Sequence, residues 1–331
     1  MRLDKRITTI IAAGLVLALG LPARAGGKRT DAAKESDRIR RAALRAAGAG
    51  ARVRRATPVI RPAVPSEHWS SLIAELAKKP ELHVIFDVDD TLVKSFKHGI
   101  TTAEIPEAVL EDLRVLAARP NTSVTILSGK PLKKLEAMFP GMDNVGLMGN
   151  FGTENRVGGK YEYDPASQRA RPTVQAVATD LVTLAEQLGI RASLVRNKDT
   201  SLSMHQEEVP LETWEQFRKG VLSRVGREKS LLAKTTDEVI EVVPADAADK
   251  GTALRRRLAA AHGRSWRTRA AVLFVGDAGG PHGGDEPAFQ VVAGHGAGVL
   301  VGKGPHPESH ARYVADGVED VEKLLHTLAY R

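Results

Sequence analysis

The chain has no cysteine. Disulfides, zinc–thiolate sites and thiol nucleophiles are therefore excluded, and redox usage carries no message about compartment. Aromatic residues are scarce, at 4% of 331 residues, so a core has to be built mainly from Val, Leu and Ala. The hydrophobic fraction of 42% is sufficient for one. Excess positive charge is missing from most of the chain. Residues 1–56 hold 14 Lys+Arg against 4 Asp+Glu, whereas the remainder holds 34 against 36, so the formal net charge of +8 belongs to the amino-terminal segment. A nucleic-acid surface needs its charge on the folded body, which excludes nucleic acid as the main partner. Long apolar runs are also lacking, with one exception at Ile7–Leu21.

That run follows Arg2, Lys5 and Arg6 and precedes Ala23-Arg24-Ala25, which has small residues where a signal peptidase reads. Residues 1–25 are expected to be a secretory signal, directing the protein out of the cytoplasm to the periplasm or beyond. An uncleaved anchor through residues 7–21 is the alternative, although the run is short for a bilayer span. Residues 26–65, rich in Ala, Arg and Gly and broken by Pro58, Pro62 and Pro65, read as a basic solvated linker. Weak contact with an anionic membrane surface is the functional alternative for that tail.

From Leu82 onward, short apolar strands alternate with longer helical stretches. Strands are expected at 82–88, 123–128, 145–148, 271–276 and 298–301. Helices are expected at 106–118, 131–139, 250–261 and 318–328. This alternation predicts an α/β fold, a Rossmann-like parallel sheet with helices on both faces. Residues 154–244 read differently. A hairpin turns at Gly158-Gly159, helices run over 174–188 and 211–225, and strand-like pieces lie within 192–204 and at 238–243. The expectation is an α+β module inserted between core segments 66–153 and 245–331.

The strand Val84-Ile85-Phe86 runs directly into Asp87-Val88-Asp89-Asp90-Thr91. Carboxylates at the carboxyl end of a buried strand meet solvent, metal and substrate at the sheet edge. Two of them one residue apart allow one to attack phosphorus and the other to shuttle protons, with Mg²⁺ masking their repulsion. The same acidic turn would equally cap a following helix. Ser128-Gly129-Lys130 follows a second strand, where a hydroxyl and loop amides suit a phosphoryl oxygen; Pro131 also makes it a natural helix entry. Lys250 opens a helix after Asp249, placed to neutralise a phosphoryl group. Asp277 follows Val272–Gly276, with Asp285-Glu286 further on, completing a candidate metal site.

These four elements, in this order, resemble the haloacid dehalogenase superfamily of phosphotransferases over about 82–302. Val195-Arg196-Asn197-Lys198 through Met204-His205, Ile240–Pro244, Gly152-Thr153-Glu154 and Asp285–Phe289 narrow the likeness to its trehalose-6-phosphate phosphatase branch. The resemblance implies a three-layer α/β/α core with an inserted cap, and Mg²⁺-dependent hydrolysis of a sugar phosphate through an aspartyl-phosphate. Asp87 would be nucleophile, Asp89 general acid and base, and Thr91, Ser128, Gly129 and Lys250 phosphate-binding. Asp87, Asp89 (through its carbonyl), Asp277 and Asp285 would hold the metal, and Glu154, Lys198, His205 and Glu241 the sugar.

The chain departs from the branch at several positions. Arg196 stands where Glu is usual, and Phe151 where His is. Gln206-Glu207 replace an aromatic residue and Arg. Ala278 replaces an Asp, and residues 279–284, including His282, separate Asp277 from Asp285. Trehalose 6-phosphate is the expected substrate. A broad exported sugar-phosphate phosphatase and a non-catalytic sugar-phosphate binding protein are the alternatives.

Overall fold

The computed structural model describes residues 69–95, 104–207, 209–280, 283–302 and 308–331. The predicted signal, the whole linker and His282 lie outside them. Among the described residues no helix is long and apolar enough to cross a membrane.

After a short helix, α1 (Trp69–Leu76), the core follows the predicted alternation. Strands β1 (Glu81–Phe86), β2 (Thr122–Leu127) and β3 (Val145–Gly149) alternate with α2 (Glu107–Ala118) and α3 (Leu132–Met138). A hairpin, β4 (Glu154–Val157) and β5 (Lys160–Tyr163), follows. Next come α4 (Pro165–Gln187), β6 (Arg196–Asn197), β7 (Leu202–His205), α5 (Leu211–Val225), β8 (Leu231–Thr235) and β9 (Val239–Pro244). The chain then returns through α6 (Lys250–His262), α7 (Trp266–Arg269), β10 (Ala270–Gly276), α8 (Glu286–Val292), β11 (Ala297–Val301), β12 (Tyr313–Ala315) and α9 (Val318–Tyr330).

The large sheet has the order β12-β11-β10-β1-β2-β3-β4-β5. It is parallel from β12 to β3 and antiparallel across β4 and β5. Alternation along a strand sends neighbouring side chains to opposite faces. Val84 and Phe86 accordingly join a core that includes Leu113 of α2 and Leu324 of α9, while Ile85 joins Leu254 of α6 and Phe289 of α8. Helices therefore cover both faces, as the three-layer expectation requires. Chain order reverses at β1, which lies between β10 and β2. In such sheets the ligand crevice opens outside the carboxyl ends of the strands at that reversal.

The second sheet, β6-β7-β9-β8, is antiparallel and has its own core, in which Val177 and Leu181 of α4 pack with Trp214 and Phe217 of α5. Two sequence expectations need correction here. The hairpin 154–163 pairs with β3 in the large sheet, so the separate module begins near residue 165 and not at 154. The helix expected from 174 starts at Pro165 and runs through Pro172. Its start is set by Asp164, whose side chain accepts from Ser167 N at 3.1 Å, and by Pro165 in the first turn, where a missing N–H costs nothing.

Candidate active site

Parallel register brings three of the predicted loops together. Phe86 lies opposite Val275 on one side and Ile126 on the other, so the residues that follow β1, β10 and β2 emerge side by side. The Asp87 amide donates to Val275 O at 2.9 Å, extending the ladder into the loop. Asp87 and Lys250 are both buried, with Nζ 2.9 Å from Oδ1. The same ammonium meets Asp285 Oδ1 at 2.5 Å.

Asp87, Asp277 and Asp285 present carboxylate oxygens within 4.8 Å of one another. Burial, chiefly, and then repulsion from Asp285 outweigh Lys250 and push the Asp87 carboxyl up to about 7. Burial followed by Asp87 and Asp285 pushes Asp277 up to about 8. Burial alone would lower the Lys250 ammonium, but Asp285 and Asp87 overcome it and the net shift is upward. Three crowded carboxylates against one lysine form a site short of positive charge. A hard divalent cation with oxygen ligands is the natural complement, so the donor set fits Mg²⁺.

Asp285 reaches this cluster despite the intervening residues 279–284. Asp285 N donates to Ala278 O at 3.0 Å, and Ala278 N donates to Asp285 Oδ2 at 3.0 Å. The insertion is thus pinched off at its neck, and Asp285 supplies at that point the carboxylate that Ala278 lacks. A Cβ at Gly276 would lie 2.4 Å from Asp285 Oδ2, so the bare glycine makes the room.

Around the cluster, Thr91 Oγ1 is buried without a hydrogen-bond partner, a donor left over for a ligand. Ser128 is buried, and its Oγ accepts from Lys130 N at 3.2 Å. A Cβ on Gly129 would lie 2.9 Å from the Phe151 ring, so this loop lies against the aromatic that replaces the usual His. Asp89 stands outside the carboxylate group. Its oxygens meet Lys130 Nζ at 2.8 and 2.7 Å.

The second module reaches the Ser128-Gly129 loop through Lys198. Lys198 Nζ donates to Gly129 O at 3.1 Å and lies 3.5 Å from Glu241 Oε1. His205 is pushed down to about 4, first by burial and then by Arg196 and Lys198, so it is neutral at pH 7. Arg196 and Glu207, two separate departures in the sequence, are ion-pair partners. With Glu and Arg usual at those places, the two changes amount to one reversal of charge. Glu154 differs from the expectation. It is buried, and its carboxylate accepts from Leu132 N at 2.9 Å, Asn150 Nδ2 at 2.7 Å and Thr200 Oγ1 at 3.3 Å. With these donors engaged, Glu154 ties α3 to the second module and is not an open sugar acceptor.

Sequence reasoning passed over Asn150, which donates to Lys198 O at 2.9 Å and accepts from Ser201 Oγ at 3.1 Å. Its φ of 46°, followed by Phe151 at 60°, is a left-handed stretch that Asn tolerates better than most residues. Lys130 was visible beside Ser128, but no local pattern links it to Asp89.

A model of the trehalose-phosphatase family matches residues 85–318. A probable trehalose-phosphate phosphatase 3 of Oryza sativa subsp. japonica is 27% identical over 278 residues, covering 78% of this chain and 72% of that protein. The C-terminal domain of a C. albicans trehalose-6-phosphate phosphatase superposes with a TM-score of 0.64 at 18% identity, covering 81% of this chain and 98% of that one. An Aspergillus fumigatus trehalose-6-phosphate phosphatase gives 0.55 at 21% identity, covering 82% and 100%. At these identities the solved structures speak for the fold.

Proposed function

The chain belongs to the trehalose-phosphatase family and is a phosphoric monoester hydrolase, and from that premise we propose that it hydrolyses a sugar phosphate through an aspartyl-phosphate on Asp87. The observation that carries this reading is the buried contact between Asp87 and Lys250 beside Asp277 and Asp285. The Asp87 carboxylate attacks phosphorus in line as the ester P–O bond breaks. Asp89 gives its proton to the departing sugar oxygen, then takes one from the water that opens the acyl phosphate. Lys250, Thr91, Ser128 and the Gly129 amide hold the phosphoryl oxygens and stabilise their charge. Asp87, Asp277, Asp285 and the Asp89 carbonyl are the proposed holders of Mg²⁺. When bound, the ion offsets charge on the transferring group and keeps Asp87 ionised.

Lys198, which contacts Gly129 O and Glu241, together with Glu241, His205 and Arg196, supplies the proposed sugar contacts. The leading substrate is trehalose 6-phosphate, supported by the family and by the names of the relatives. Residues 1–25 add the proposal that the enzyme acts after export. A panel of sugar phosphates, assayed with and without Mg²⁺, tests substrate and cofactor together. Trapping of a phosphoenzyme in wild-type protein and its absence in Asp87→Asn tests the intermediate. Turnover at wild-type rate by Asp87→Asn would overturn the mechanism.

A further inference from the structure

We propose that Lys130 is the positioning residue for Asp89, aiming the carboxyl that protonates the leaving group. This inference rests on the assignment of Asp89 as general acid. The Asp89 side chain is 36% exposed, and a carboxylate so open turns freely unless something ties it. The Lys130 ammonium provides the tie, with contacts to both oxygens.

Lys130 is itself built in. Its side chain is only 11% exposed. Its carbonyl accepts from Asn150 N at 2.8 Å, and its amide donates to Ser128 Oγ at 3.2 Å. A Cβ at Gly149 would lie 2.9 Å from Lys130 O and 2.4 Å from Leu132 N, so the end of β3 can carry this loop only because residue 149 is glycine. Electrostatics then fix the direction of the side chain. Lys134 and Lys198 both feel the Lys130 charge as repulsive. A cation with cations beside it is driven toward the nearby anion, which is Asp89.

The Asp89 charge is felt both at the core site and in the second module. It adds to the repulsion on Asp87 and acts on His205 of β7. A sugar oxygen leaving Asp87-bound phosphorus departs through this region. The reaction balances simply: the Asp87 O–P bond forms, the ester P–O bond breaks, and the Asp89 proton goes to the departing oxygen. A misplaced acid loses that transfer while the attack geometry at Asp87 stays intact.

The test compares two esters on the full-length protein. p-Nitrophenyl phosphate releases a weakly basic phenolate that needs no proton, whereas trehalose 6-phosphate releases a basic alkoxide that does. The quantity read is kcat/KM, which reports the steps up to leaving-group departure. Lys130→Met is expected to lower kcat/KM for the sugar phosphate by about 10²-fold, on the scale of general acid catalysis, and for the aryl phosphate by less than about threefold. Lys130→Arg should restore most of the loss. If Lys130→Met folds poorly, Lys130→Gln keeps a neutral donor and should still discriminate between the esters. An equal fall on both esters, or no fall on either, overturns the proposal. Wild-type protein that hydrolyses neither ester overturns the phosphatase mechanism itself, and this proposal with it.

Discussion

Lys250 Nζ lies 2.9 Å from Asp87 Oδ1, and both side chains are buried at the carboxyl edge of the sheet. The pair joins the two core segments that flank the second module. It gives the proposed nucleophile its fixed cation, and the short supply of positive charge around it accounts for most of the expected behaviour of the site.

Asp87→Asn removes the attacking oxygen but keeps the shape, and Lys250 retains Asp285 as a partner. Activity should fall by several orders of magnitude with an unchanged circular dichroism spectrum, since a nucleophile acts as part of a unit. A loss of only a few-fold would assign the attack to another group.

Without metal, Asp87 and Asp277 titrate near 7 and 8, above their ordinary value of 3.8. Between about 4 and 8 these two groups hold more protons in the folded state than in the unfolded one, so their contribution to stability falls as pH rises. Mg²⁺ should flatten that slope and raise Tm most at the alkaline end, since it binds the ionised carboxylates of the folded state. Thermal melts at several pH values, with EDTA or Mg²⁺, measure both effects. Parallel curves would exclude the cation from this cluster.

Gly276→Ala sets a methyl group against Asp285 Oδ2. Asp285 is fully buried and held by Lys250 and Ala278, so it cannot step aside without losing those partners. The expected result is an at least tenfold higher Mg²⁺ half-saturation of activity, with a stability loss of the size usual for overpacking, about 1–3 kcal/mol, seen as a modest fall in Tm. Mg²⁺ titration of activity is the measurement, and an unchanged half-saturation would show that Asp285 is not needed.

His83 is fully buried between Thr125 Oγ1 and His262 Nε2, at 2.9 and 3.0 Å. Burial, followed by Arg257 and His262, lowers its pKa well below 6.5. The unfolded chain binds this proton and the folded one does not, so stability is lost as pH falls below about 6.5. His205, neutral for similar reasons, acts with the same sign. His83→Gln should make the melting temperature less sensitive to acid between pH 6.5 and 5. An unchanged slope would place the acid sensitivity elsewhere.

Arg196 and Glu207 are both partly shielded, so their coupling should be modest, about 0.5–1 kcal/mol. Arg196→Glu alone brings two carboxylates together and should lower stability. The exchanged pair Arg196→Glu with Glu207→Arg should recover most of it. A double-mutant cycle by denaturant melts tests this, and simple additivity would dissolve the pair.

Much of the candidate site was legible along the chain because Asp87, Ser128 and Asp277 each follow a buried strand. Apolar runs ending in Asp87, Ser128 and Asp277 mark positions that a parallel sheet, buried on both faces, must bring to one edge. The module boundary was less legible. The hairpin at 154–163 has the alternation of any hairpin, and nothing local says which sheet it joins. Pro172 hid the first turns of α4, because local propensity does not register the stabilisation supplied by packing at Val174, Val177 and Leu181.

By itself the sequence determined the α/β core and marked the candidate site residues Asp87, Ser128 and Asp277, since short apolar runs show the strands and these residues stand at their ends. Only the tertiary structure decided that Asp285 folds back past its insertion to stand beside Asp87, and that Glu154 is spent as a structural tie. Only there do Lys130 and Asp89, and Arg196 and Glu207, prove to be partners. These are contacts between charges whose loops meet in space, and their energies depend on burial and distance, which a linear pattern does not encode.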